Sequence, residues 1–206
     1  YPHNTDMIYT AISIVRALVA NREIHFFDVY LPHFITIDLS CLLSPQIGPK
    51  FFNELFQIKA FAGDLLQSLL SYAFLQGYTS VQPRITVQLL SVLTRPDFGI
   101  TEKCGAIQGL LAMDLDTVSK FVLPNISNWP LKETETDLNS SQMKMYFYSL
   151  CLSAFGLSLH ADTYKQTALG IIPTDTYTSD IYHNLINVFG SEALNYVVDD
   201  SSFLYL

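Results

Sequence analysis

The stretch Pro96 to Pro124, PDFGITEKCGAIQGLLAMDLDTVSKFVLP, decides the reading of this chain, because between its two prolines the apolar residues recur at helical spacing. Thr101 offers a side-chain oxygen to a helix start and Glu102 suits the positive end of the dipole. Cys104, Ile107, Leu110 and Leu111 then form a stripe at spacings of three and four. A stripe of this kind needs a partner helix, and the sequence supplies one at once. Asp114 or Asp116 can cap a second helix in which Leu115, Val118, Val122 and Leu123 face one way, until Pro124 stops it. Nothing inside the two helices forms a set that could do chemistry, so the stretch points to a chain that binds and does not catalyse.

The same texture extends upstream. Ile8, Ala11, Ile12, Val15, Leu18 and Val19 predict a helix over Asp6 to Ala20, closed by a turn at Asn21. A second helix is expected from near Pro32, whose fixed φ suits a first turn, until Pro45 and Pro49 close it. The longest helix should run from Lys50 to Gln76 on Phe51, Leu55, Ile58, Ala62, Leu65, Leu69 and Tyr72. A second stripe beside it, Phe52, Phe56, Leu66, Leu70 and Phe74, widens the apolar surface beyond what one neighbour covers, so this helix should be sandwiched. Gly77 is its natural left-handed terminator, and Val81, Ile85, Leu89 and Val92 resume the period.

Downstream, Trp129 precedes a polar run of residues 130–139 with no apolar period, expected to be a linker. Helices should resume over Ser140 to Leu159 and, more briefly, over Ser179 to Phe189 and Ser191 to Val198, with a strand conceivable only near Leu169 to Ile172. Seven or eight antiparallel helices in pairs of about forty residues describe an all-α chain, an α-solenoid of HEAT or armadillo type, with an irregular bundle as the alternative.

Composition narrows the function. The chain has 206 residues, half of them apolar, which is enough for a sizeable core without disulfides. Charged residues make up 15%, against roughly 25% in an average domain, which leaves surface to be covered by neutral polar residues or by another protein. A net charge of -8 and no Lys/Arg cluster argue against a phosphate-binding surface. Cys41, Cys104 and Cys151 are an odd number, each in an apolar run, and read as buried free thiols of a reducing compartment. The run Met145 to Ala161 is too short and too often interrupted by Ser and His for a membrane span. The start at Tyr1-Pro2-His3 reads as that of a fragment.

Motifs that could carry chemistry have simpler explanations. Asp97-Phe98-Gly99 spells the magnesium-binding tripeptide of protein kinases, but the phosphate loop, the strand Lys and the catalytic loop of a kinase are missing. The five histidines show no metal-ligand spacing with one another or with Cys, so neither a metal nor a cofactor is expected. No Gly-x-Ser-x-Gly elbow supports a hydrolase. Gly105 and Gly109, four apart, would let a neighbouring backbone approach closely. Trp129 reads as a core plug or an interface anchor.

At Pro96 to Pro124 the chain resembles the C-terminal HEAT-repeat domain of TBP-associated factor subunit six. Phe98, Thr101, Lys103, Gly105, Ile107, Gly109, Leu110, Val122, Leu123 and Pro124 match the family's hallmark of an aromatic, Thr, a basic residue, Gly, Ile, Gly-Leu and a later Val-Leu-Pro. The resemblance extends to Ala17-Leu18-Val19-Ala20-Asn21 and Tyr30-Leu31-Pro32-His33-Phe34-Ile35. It also takes in Lys59-Ala60-Phe61-Ala62 with Leu65, and Gln82-Pro83-Arg84-Ile85, covering about Asp6 to Asn125. Where the family has a second basic residue after Phe-Ala, this chain has Asp64.

The resemblance implies a single domain of about five HEAT repeats over 1–206, without the histone fold that precedes it in the family. It implies a nuclear, non-enzymatic scaffold in the general transcription factor TFIID, with relatives in SAGA-type coactivators. Its partners would be other TBP-associated factors, including subunits eight, nine and two, and it would make no direct contact with nucleic acid or membrane. Lys59, Phe98, Lys103 and Trp129 are the expected partner-binding residues. A cargo- or GTPase-binding transport solenoid would share the fold and differ in partner.

Overall fold

The computed structural model describes residues 5–21, 23–24, 27–45, 52–113, 117–118, 122, 144–154, 156, 183, 186–187 and 190. Among the described residues up to Met113, five α-helices follow one another: α1 (Thr5–Ala20), α2 (Leu31–Leu43), α3 (Phe52–Leu75), α4 (Val81–Thr94) and α5 (Ile100–Met113). A 3₁₀ turn, Phe27–Val29, leads into α2, and no strand occurs among the described residues.

The ends of the helices follow from local chemistry. Pro32 lies in the first turn of α2, where its missing N–H costs nothing. Beyond α3, Gly77 adopts φ 84°; its N–H reaches the carbonyl of Phe74 at 3.0 Å, and that of Tyr78 reaches Ala73 at 2.9 Å. This is the paired 6→1 and 5→2 closure that only a residue tolerant of positive φ makes cheaply. Before Pro96, Arg95 turns extended at φ -83° and ψ 138°, as the clash with a following proline ring demands. One cap differs from expectation. Thr101 is buried inside the first turn of α5, and it is the Gly99 carbonyl that accepts from the Lys103 N–H at 3.2 Å.

The helices pack as a stack of pairs. α3 lies between α1 and α5, α2 packs on both α3 and α5, and α4 packs on α5 and touches α3. α1, α3 and α5, two apart in sequence, thus lie side by side, as alternate helices do in a HEAT-type α-solenoid. The expectation that α3 is sandwiched holds along most of its length: Leu55, Phe56, Ile58, Ala62, Leu65, Leu66, Leu69 and Leu70 are all buried, while Phe74 runs past its neighbours and is 66% exposed.

α5 departs from the sequence reading. Its spacing predicts an apolar stripe with the next helix as partner, and the structure buries more than the stripe: Lys103 through Ile107 are buried without a break, as are Thr101, Gly109 and Leu110. The cause is that α2, α3 and α4 already enclose it. Of the expected second helix, Val118 and Val122 are helical and buried, and the rest lies outside the described residues.

Residues 144–154 are helical, and Phe147, Cys151, Leu152 and Ala154 join the same core. Tyr146 stacks at a tilt on Phe56 of α3 with ring centroids 3.9 Å apart. The linker expected at 130–139, the short helix expected over Ser191 to Val198, Trp129 and the caps Asp114 and Asp116 lie outside the described residues, while His183, Ile186 and Asn187 of the helix expected over Ser179 to Phe189 are helical. Cys104 and Cys151 are buried free thiols and Cys41 is a half-buried one.

Candidate functional site

Of the four expected contact residues, Trp129 lies outside the described residues, and the other three do not share a surface. Lys59 sits on α3 at a position enclosed by α2 and α5, with 1% of its surface exposed. Its ammonium donates to the backbone carbonyl of Leu42 and, at 3.1 Å, to that of Ser44. These carbonyls belong to the last turn and cap of α2, where four acceptors lack a partner within the helix and the dipole is negative. Lys59 therefore closes the end of α2 from inside the stack. Burial lowers its pKa to about 8, opposed by Cys104, Glu102 and Cys41.

Gly105 of α5 meets the same carbonyl from the other side. A Cβ on Gly105 would lie 1.7 Å from the Leu42 oxygen and 3.2 Å from the Lys59 ammonium, so any side chain there would displace backbone. Gly109, one turn on, would place its Cβ 2.9 Å from a methyl of Leu89 and 3.4 Å from one of Leu42. The glycine pair acts as the sequence suggests, and α2, α3 and α5 converge on one peptide oxygen. The surrounding thiol of Cys104 is pushed up to about 12 by burial, which makes it an inert core group.

Lys103 is likewise 1% exposed, on α5. The expectation that Lys59 and Lys103 meet a partner is corrected by this burial: both cations point into the stack, where Lys59 closes α2 and Lys103 makes contacts of its own. Phe98 is half-buried at the α4–α5 corner, with the Arg95 guanidinium 5.3 Å above its ring. Arg95 grips Asp97 through two bonds, Nε to Oδ1 at 3.0 Å and Nη2 to Oδ2 at 2.5 Å. The Asp of the kinase-like tripeptide is thus half of a surface fork with arginine.

Two clefts flank the exposed end of α3. The larger, about 580 Å³, lies between α1, the 3₁₀ turn and α3, with Arg16, Asp28 and Tyr72 among its walls. Across it the Tyr72 hydroxyl donates to Asp28 Oδ1 at 2.6 Å. That bond, with burial second, raises the phenol to about 12. The smaller, about 450 Å³, lies between α3, α4 and the end of α5 beside Phe74 and Met113. Sequence reading missed both, as it missed the Arg16–Asp64 pair at 3.7 Å that ties α1 to α3. Arg16 and Asp64 are far apart in sequence, and only the helix packing joins them. Among the described residues no group of three or more His, Cys, Asp or Glu could hold a metal ion, and no helix is long and apolar enough to cross a membrane.

The sequence profile of the TAF6 C-terminal HEAT repeat domain matches residues 2–127, which takes in every helix from α1 to α5. The chain belongs to that family. Among similar proteins is transcription initiation factor TFIID subunit 6 of Arabidopsis thaliana, 32% identical over 162 residues, covering 75% of this chain and 29% of that protein. Subunit 6b of the same plant is 26% identical over 62% of this chain and 24% of its own length. The SAGA complex/transcription factor TFIID complex subunit Taf6 of Schizosaccharomyces pombe is 24% identical over 73% of the chain and 33% of that protein. The chain thus spans between a quarter and a third of the relatives it matches. No solved structure matches it. Within the matched span, Gly105 and Gly109 are the residues that let α5 pass close to α2 and its neighbours.

Proposed function

We propose that this chain is a non-enzymatic docking scaffold of the transcription-initiation machinery, working in the nucleus as part of TFIID or of a SAGA-type coactivator. The observation that carries the reading is the family match across residues 2–127, supported by relatives named as subunits of those two complexes. The chemistry of the helices agrees with it. The buried lysine Lys59 and the glycines Gly105 and Gly109 serve packing, and exposed apolar side chains such as Ile14, Ile37, Phe61, Phe74 and Val87 are what the stack offers to neighbours. The partners are other TBP-associated factors, with subunits eight, nine and two the first candidates by the resemblance. The net charge of -8 disfavours direct contact with nucleic acid. Phe98 and Trp129 are the contact residues retained, and the whole of 1–206 acts as one domain with a linker at 130–139.

The test is affinity purification of the tagged chain from nuclear extract with identification of what accompanies it. Recovery of several TBP-associated factors supports the reading; recovery of a transport cargo or a small GTPase in their place overturns it.

A further inference from the structure

Asp38 has no part in the packing chemistry described so far. It lies on the buried face of α2 with Leu31, Ile35 and Leu42, at spacings of four, three and four, and is itself 1% exposed. Neither carboxylate oxygen has a hydrogen-bond partner. The ionisable groups on its own helix and on the elements α2 packs against supply no donor to it. Cys41, on the same helix, is a thiol that burial keeps protonated. Lys59 from α3 is spent on the carbonyls of Leu42 and Ser44. Of the ionisable groups on α5, Glu102 is itself an acid, Lys103 has contacts of its own and Cys104 is a protonated thiol. Asp28 of the 3₁₀ turn accepts from Tyr72.

A bare carboxylate in such a place loses its hydration and gains no donor, whereas the protonated acid loses far less. We propose that Asp38 enters the junction of α2, α3 and α5 as the neutral acid, so that the seating of α2 in the stack is coupled to one bound proton. Deprotonation then strains the face by which α2 holds both neighbours, and makes α2 the proton-sensitive element of the stack.

Burial alone raises Asp38 from 3.8 to about 8. A folded-state pKa above the unfolded one means that the folded chain binds the extra proton between those values. The contribution to stability is complete below about pH 4 and is lost as pH rises through about 8. Over the middle of that window the folded-to-unfolded ratio falls by up to about tenfold per pH unit on account of this one group.

The test is urea unfolding of the whole chain at pH 5, 6, 7 and 8 for the wild type and Asp38→Asn, with the carbonyl infrared band of a protonated carboxyl recorded at pH 7. The wild type should lose stability along that series by about one proton's slope more than Asp38→Asn, and should show a protonated-carboxyl band that the variant lacks. If Asp38→Asn does not fold, Asp38→Leu, which needs no hydrogen bond, serves as the neutral reference. Equal slopes in wild type and neutral variant, or an ionised carboxylate at pH 7, would overturn the proposal.

Discussion

The ammonium of Lys59 donates to the peptide oxygen of Leu42, seventeen residues away, and so joins the middle helix of the stack to the end of its neighbour. That bond sits where Gly105 brings a third helix against the same oxygen. Much of what this chain does rests on that point being kept small and polar.

Removing the cation should therefore unseat α2 before it affects any surface. Lys59→Ala leaves the Leu42 and Ser44 carbonyls buried without their donor and opens a void, a loss of about 3 kcal/mol. Lys59→Met fills the void and loses only the donor, and should recover part of that. Urea midpoints for both variants against the wild type check the order.

The three glycines of α3 and α5 should rank by what their added methyl would meet. Gly105→Ala drives carbon into the Leu42 oxygen and should cost about 3 kcal/mol or more. Gly109→Ala presses on a Leu89 methyl that can turn aside, and about 1 kcal/mol is expected. Gly63→Ala, with its nearest neighbour the Gln108 Cγ at 3.3 Å, gains helix propensity and should stay within about 1 kcal/mol of wild type. Thermal unfolding of the three decides it, and a Gly105→Ala as stable as Gly63→Ala would refute the packing described.

Lys59 should also leave its own mark on stability in alkali. Lys59 titrates at about 8 when folded against 10.5 for the free side chain, so between those values the unfolded chain binds the extra proton at this group and its share of the stability rises with pH. The contribution is present above about 10.5 and lost as pH falls through about 8. Lys59→Met should lack this rise. Since burial raises the Cys104 thiol and the bond to Asp28 raises the Tyr72 phenol, both of which pull the other way at the top of this range, the difference between wild type and Lys59→Met carries the effect. Denaturation at pH 7 to 10.5 on wild type and Lys59→Met measures it.

How much of this was legible in the sequence follows from what periodicity records. The helices over Asp6 to Ala20 and Lys50 to Gln76, and the terminator Gly77, were readable because spacing, proline and positive-φ chemistry are local. The cap at Thr101 was misplaced by two residues, since a glycine carbonyl can begin a helix without announcing itself. The lysines were misjudged for a different reason. Charge suggests surface, but Lys59 stands three residues after Phe56 and three before Ala62, in register with the buried face, and Asp38 stands likewise between Ile35 and Leu42. The register held the signal; what it could not show was the orphan carbonyls that give a buried ammonium its acceptors.

The corner at Arg95 offers a contrasting surface test. Arg95 and Asp97 are both more than half exposed, so Arg95→Ala should change stability by no more than about 0.5 kcal/mol. The same change uncovers one face of Phe98 and should alter partner binding without altering helical content. Circular dichroism and a binding titration, run side by side, separate the two effects.

The most direct measurement of the central claim is sedimentation of the purified chain with recombinant TBP-associated subunits eight, nine and two, taken singly, beside a Phe98→Ala variant of unchanged helical content. A stable complex with at least one subunit, weakened by Phe98→Ala, is the predicted result. A fully helical chain that joins none of them would contradict the account of a docking scaffold.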